Sequence, residues 1–77
     1  MKKIKICLNN FEKVRDFVKV ADTLNCKLKL TSGSLIVNGK SILGIFALDL
    51  SNAIDVFIIN EKQEMNFCPK ELEIFMI

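Results

Sequence analysis

Apolar and polar residues alternate strictly along Lys3-Ile4-Lys5-Ile6-Cys7-Leu8, a period of two that predicts a strand. Ile4, Ile6 and Leu8 then face a core, and Lys3, Lys5 and Cys7 face away from it. Asn9-Asn10 interrupts the alternation, after which Phe11, Val14, Phe17, Val18, Ala21 and Leu24 recur at three- and four-residue steps. That spacing predicts a helix with one apolar stripe. Asn9 with Glu12 has the separation of a capping box, Asn10 is a second residue able to cap, and Asn25 suits a left-handed stop. The opposite face carries the like-charge pairs Glu12–Asp16 and Arg15–Lys19, so packing rather than surface pairing must hold this helix.

Period two returns at Cys26, Leu28 and Leu30, alternating with Lys27, Lys29 and Thr31, and predicts a second strand. Thr31-Ser32-Gly33-Ser34 reads as a turn into a short third strand, Leu35 to Asn38. Asn38-Gly39 then leads to Ser41, whose hydroxyl precedes the helical residues Ile42, Leu43, Ile45, Phe46 and Leu48 and is placed to cap their unpaired N–H groups. A fourth strand follows, with Ile54, Val56 and Ile58 inward and Asp55, Phe57 and Ile59 outward. The order β-α-β-β-α-β predicts an α+β fold, an open-faced sandwich with a four-stranded antiparallel sheet and its helices on one face. Asn60 to Asn66 is polar. Beyond it, Cys68-Pro69-Lys70-Glu71 resembles a helix start that would bring Leu72, Phe75 and Met76 to the core, while Glu71 to Ile77 also alternates in part, so helix and strand both stand as readings.

The 77 residues are read as a single domain, 1–77. A chain of this size buries only about 60% of its unfolded surface. No apolar run approaches the roughly 20 residues that cross a bilayer, and the first strand follows Met1-Lys2-Lys3 directly, so neither a membrane partner nor a signal peptide is expected. Cys7, Cys26 and Cys68 form no CxxC pair and there is no histidine, a pattern of reduced thiols in a cytoplasm rather than of disulfides or a metal centre. No cofactor motif is present either. The net charge of +2 conceals an asymmetry: residues 1–40 hold nine Lys/Arg against three Asp/Glu, and residues 41–77 hold two against six. A basic half attracts anions. Few aromatics interleave with those lysines, however, so nucleic acid is not the expected partner.

The stretch VNGKSILGIFALDL resembles a segment of the HPr family, the small phosphocarriers of the bacterial sugar phosphotransferase system. The family pattern V-N-x-K-S-I-x-G-x-x-x-L surrounds a regulatory serine, and Val37, Asn38, Lys40, Ser41, Ile42, Gly44 and Leu48 fill its fixed positions. The resemblance runs from about Lys3 to Ile59 and implies the same HPr-like fold, with a longer final helix than this chain has. It also implies that Ser41 is a regulatory phosphorylation site, and that Lys40, Ile42, Leu43 and Phe46 meet a protein partner, either a regulator or the kinase itself. With Ile45 and Leu48 inward, helical spacing turns Ile42, Leu43 and Phe46 outward, unless the tail folds over them.

The resemblance fails at the family's phosphoryl-carrying histidine, which lies in a G-[LI]-H-x-R-P loop. Alignment back from Ser41 puts Asn10 at the histidine and Glu12 and Lys13 at the arginine and proline, with a deletion of two or three residues nearby. Asn9, Asn10 and Glu12 are thus a degenerate active-site loop. An amide cannot carry a transferable phosphoryl group, and Cys7 has no partnering base. The expectation is a non-catalytic, histidine-less HPr-like regulatory or adaptor protein. Two other classes stay open: an anion- or nucleic-acid-binding domain using the lysine-rich half, and an oligomer-forming module. On the open sheet face, Phe57, Ile59 and Ile36 among Lys3, Lys5, Lys27, Lys29 and Asp55 would serve self-association or be covered by lysine stems.

Overall fold

The computed structural model describes residues 2–60 and 68–77. The chain runs β1 (Lys2–Ile6), α1 (Phe11–Thr23), β2 (Cys26–Ser32), β3 (Leu35–Asn38), α2 (Ile42–Phe46), β4 (Ile54–Asn60) and a 3-10 helix, η1 (Lys70–Phe75). Its four strands form one antiparallel sheet in the order β1-β4-β2-β3. This is an α+β fold with an open sheet. The alternation in the sequence becomes the two faces of that sheet. Ile4, Ile6, Cys26, Leu28, Leu30, Ile54, Val56 and Ile58 are buried in one cluster with Val14, Phe17 and Ala21 of α1. Lys3, Lys5, Lys27, Lys29, Asp55, Phe57 and Ile59 occupy the intervening positions on the other face. Each fully buried apolar side chain of this kind contributes about 1.5–3 kcal/mol, which makes the face assignment the main determinant of stability.

The start of α1 departs from the expected capping box by one residue. Asn10, in extended conformation, is the N-cap, and its Oδ1 accepts from the Lys13 N–H at 2.8 Å. Lys13 therefore occupies the third helical position where a box needs Glu, and Glu12 instead lies in the first turn, where a carboxylate suits the positive helix end. The helix stops before Asn25: Leu24 is already extended, with its N–H donating to Ala21 O at 3.1 Å. The stripe is also shorter than the periodicity suggests. Phe11 leaves the core and is 56% exposed, because the first turn of α1 projects beyond the buried cluster.

The C-terminal segment satisfies both readings of its sequence in turn. Residues 61–66 of the polar stretch lie outside the described residues. Pro69 precedes η1, whose Leu72 and Phe75 are buried, and the Phe75 ring meets Phe17 edge-on with centroids 5.3 Å apart. Met76 then bridges to Ile6, while Cys7 N–H donates to Phe75 O and Ile77 N–H to Lys5 O. Met76 itself is exposed rather than in the core. These bonds pair part of the β1 edge, which otherwise offers unsatisfied backbone groups.

Candidate functional site

The segment 37–48 is built from short-range hydrogen bonds, each made by a residue type that the geometry needs. Asn38 Oδ1 accepts from Lys40 N–H at 2.9 Å, and its carbonyl accepts from Ser41 N–H at 3.0 Å, closing a turn. Gly39 within this turn is buried, and its N–H donates to Leu28 O at 2.7 Å, extending the pairing of β2 past the end of β3. A Cβ on Gly39 would lie 2.6 Å from Leu28 Cβ and 2.9 Å from Leu30 Cδ1. Only glycine fits that approach.

Ser41 is the N-cap of α2, with Oγ accepting from Gly44 N–H at 3.1 Å and its carbonyl accepting from Ile45 N–H at 3.0 Å. A Cβ on Gly44 would lie 3.2 Å from both Ser41 Oγ and Val37 Cβ, so a side chain there would press on the cap itself. Ile45 and Leu48 are buried as expected. Lys40 turns back across the fold, and its Nζ donates to Leu24 O at 3.1 Å. An ammonium at the carboxyl end of α1 opposes the negative end of the helix, complementing a terminus whose last turn has no basic residue of its own.

The predicted partner-binding residues separate into two groups. Leu43 is 81% exposed and Phe46 is 43% exposed, so both are presented outward. Ile42 is half-buried and packs against the core, because its position at the start of α2 turns it toward the cluster below. Phe11 takes its place at the surface. Its ring stacks on Phe46 with centroids 5.7 Å apart and planes 10° from parallel. The corner between α1 and α2 therefore exposes Phe11, Leu43 and Phe46 together, beside Ser41. The described C-terminal residues, 68–77, do not cover it, since η1 packs on Phe17 instead. Sequence reasoning missed Phe11 because an apolar residue in register with a helical stripe looks like core from its spacing alone.

Asn9, Asn10 and Glu12, which the resemblance sets at a degenerate active-site loop, are all exposed next to this corner, with Asn10 committed to capping. Among the described residues no group of His, Cys, Asp and Glu is arranged to hold a metal ion, and no helix is long and apolar enough to cross a membrane. Cys26 is buried, and burial pushes its thiol pKa up against the opposing influence of Lys40. Cys7 and Cys68 are half-buried, and all three thiols are free. Asp49, after α2, is held below the usual carboxylate range by hydrogen bonds from Ser51 and, less strongly, from the Asn52 amide. It organises the turn that leads to β4. Neither a family model nor a curated protein matches the chain.

Proposed function

We propose that this chain is a non-catalytic regulatory or adaptor domain of the HPr-like kind, presenting the α1–α2 corner to a protein partner. One observation carries the reading: Phe11, Leu43 and Phe46 are 56, 81 and 43% exposed in one corner, beside a capped serine. Clustered exposed apolar side chains mark interaction sites more often than scattered ones do. The element order and the antiparallel sheet are compatible with the fold that the sequence resemblance implies. The chain contains no histidine, so a phosphohistidine relay has no nucleophile. The family's carrier chemistry is absent from this reading and its docking surface is retained.

Ser41 is the regulatory residue in this proposal. A phosphate there adds about −1.5 to −2 charges next to Leu43 and Phe46, converting an apolar contact surface into a mixed one. Intact-mass measurement tests it, after incubation with Enzyme I plus phosphoenolpyruvate and, separately, with HPr kinase plus ATP. No phosphate is expected from the first reaction. A single phosphate from the second, lost in Ser41→Ala, is expected if the serine is the switch. Transfer from Enzyme I would overturn the non-catalytic reading, and an unmodified protein in both reactions would remove the phosphoserine and leave a constitutive apolar corner.

A further inference from the structure

The open face of the sheet is chemically unlike the corner. Cross-strand register brings Lys3, Phe57, Lys29 and Asn38 into one row across all four strands. The next row is Lys5, Asp55, Thr31 and Ile36, and Lys27 lies opposite Ile59 on the other side. No helix lies on this face among the described residues. Lys3, Lys5, Lys27 and Lys29 are all exposed, and among the described residues Asp55 is the sole acid beside them, meeting Lys3 at 3.8 Å. In the sequence Phe57 is far from Lys3 and Lys29. In the sheet it has a lysine on either side.

We propose that this face binds single-stranded nucleic acid, with Phe57 as a stacking platform and Lys3, Lys5, Lys27 and Lys29 as phosphate partners. The occupant follows from charge and ring together. A polyanion satisfies the lysines, and one bearing planar bases also uses an aromatic ring set between ammonium groups. An open sheet face can carry an extended strand, whereas duplex DNA is read by elements that enter a groove. Two strands over from Phe57, about 10 Å at roughly 4.8 Å per strand, Asn38 lines a groove of about 520 Å³ with Lys27, Lys29, Ile36, Val37 and Lys40. That volume is within the range of small-molecule sites, roughly 300–1,000 Å³. Asn38 Oδ1 is taken by Lys40 N–H, leaving the Nδ2 group to donate to a base edge. A base stacked on Phe57 and a neighbour in the groove then have lysines between them.

Fluorescence anisotropy with a short labelled single-stranded oligonucleotide of mixed sequence tests the proposal on the intact chain. Binding should be measurable at low salt and weaken steeply as salt rises. Lys27→Gln with Lys29→Gln should weaken it on the order of tenfold, whereas Lys13→Gln with Lys19→Gln, which removes the same charge from α1, should change it much less. Phe57→Leu, checked by circular dichroism for an unchanged fold, should cost about tenfold through lost stacking. Absence of binding at low salt would overturn the proposal. So would equal losses from the sheet and helix lysine pairs, undiminished binding by Phe57→Leu, or equally tight binding of poly-glutamate, which would mark the face as a surface for acidic protein.

Discussion

The two candidate surfaces of this protein differ in how much of their chemistry the fold itself consumes. At the α1–α2 corner the capping and turn residues are engaged by backbone: Asn10 caps α1, Ser41 caps α2, Asn38 closes the turn and Lys40 reaches Leu24 O. Beside them the corner exposes the apolar Phe11, Leu43 and Phe46. On the open sheet face the polar groups have little internal work, since Lys5, Lys27 and Lys29 make no ion pair or side-chain hydrogen bond among the described residues. Residues that the fold uses can be explained without a partner. Residues that it does not use are the better guide to one, and by that measure the exposed rings of the corner and the lysines of the sheet are the informative parts.

The largest effect should come from the point where both regions join. Gly39→Ala places a Cβ against Leu28 and Leu30 of β2, where the nearest atom, Leu28 Cβ, is tied to the backbone and the Leu30 methyl belongs to a fully buried side chain. Overpacking of this kind costs roughly 1–3 kcal/mol, and urea unfolding should report it as a lower midpoint at unchanged slope. A neutral outcome would mean that the turn at 38–41 can shift as a unit, and the corner would then be less tightly coupled to the sheet than its hydrogen bonds imply.

Removal of the α2 cap should cost less. Ser41→Ala leaves Gly44 N–H without its side-chain acceptor, a loss of about 1 kcal/mol for typical caps. That cost exists without any kinase or partner, so a stability loss in Ser41→Ala does not by itself argue for regulation. The separation between structural and regulatory roles comes from Ser41→Asp, which keeps a capping oxygen and adds charge. Its stability should remain near that of the parent while binding through Leu43 and Phe46 changes.

The Phe11–Phe46 stack should contribute a smaller amount still. A double-mutant cycle of Phe11→Ala and Phe46→Ala, read by thermal or urea unfolding, should give a coupling of about 0.5–1.5 kcal/mol at most, and toward the lower end because both rings are exposed. A coupling near zero would identify the rings as independent surface groups, and a partner would then be needed to explain why they face water at all.

How far the sequence led depends on the range of the interactions that decide each feature. The faces of β1, β2 and β4 were legible because a period of two is a local property and the core imposes it on successive residues. The caps at Ser41 and Asn10 were legible to within a residue, since a side-chain oxygen reaches only two or three positions ahead. Other features depend on contacts distant in sequence. Lys40 finds Leu24 O sixteen residues away, Phe11 finds Phe46, and Phe57 acquires Lys3 and Lys29 from two other strands. The C-terminus read as both helix and strand because η1 packs on Phe17 and the next residues pair with β1. Ile42 and Phe11 exchange their expected places for the same reason: periodicity gives a direction around a helix, but not where the neighbouring core ends.

The smallest stability effect should belong to the sheet lysines, and that small size is itself the test of the comparison. Lys27 and Lys29 are exposed, like-charged and two residues apart on one face, so their mutual repulsion is not offset by a described ion pair. Lys27→Gln with Lys29→Gln should therefore leave stability within about 0.5 kcal/mol of the parent, as surface changes away from caps and cores do. Any shift should be toward greater stability at low salt, and it should shrink as salt screens the repulsion. The competing account is that lysine stems shield Phe57, which is half-buried between Lys3 and Lys29. Glutamine has a shorter stem, so under that account the double variant loses stability by about 1 kcal/mol or more, at every salt concentration, because apolar cover does not depend on ionic strength. Urea unfolding at low and high salt separates the two. A salt-dependent gain leaves the lysines free for an anionic partner, and a salt-independent loss makes them part of the fold and the two surfaces alike.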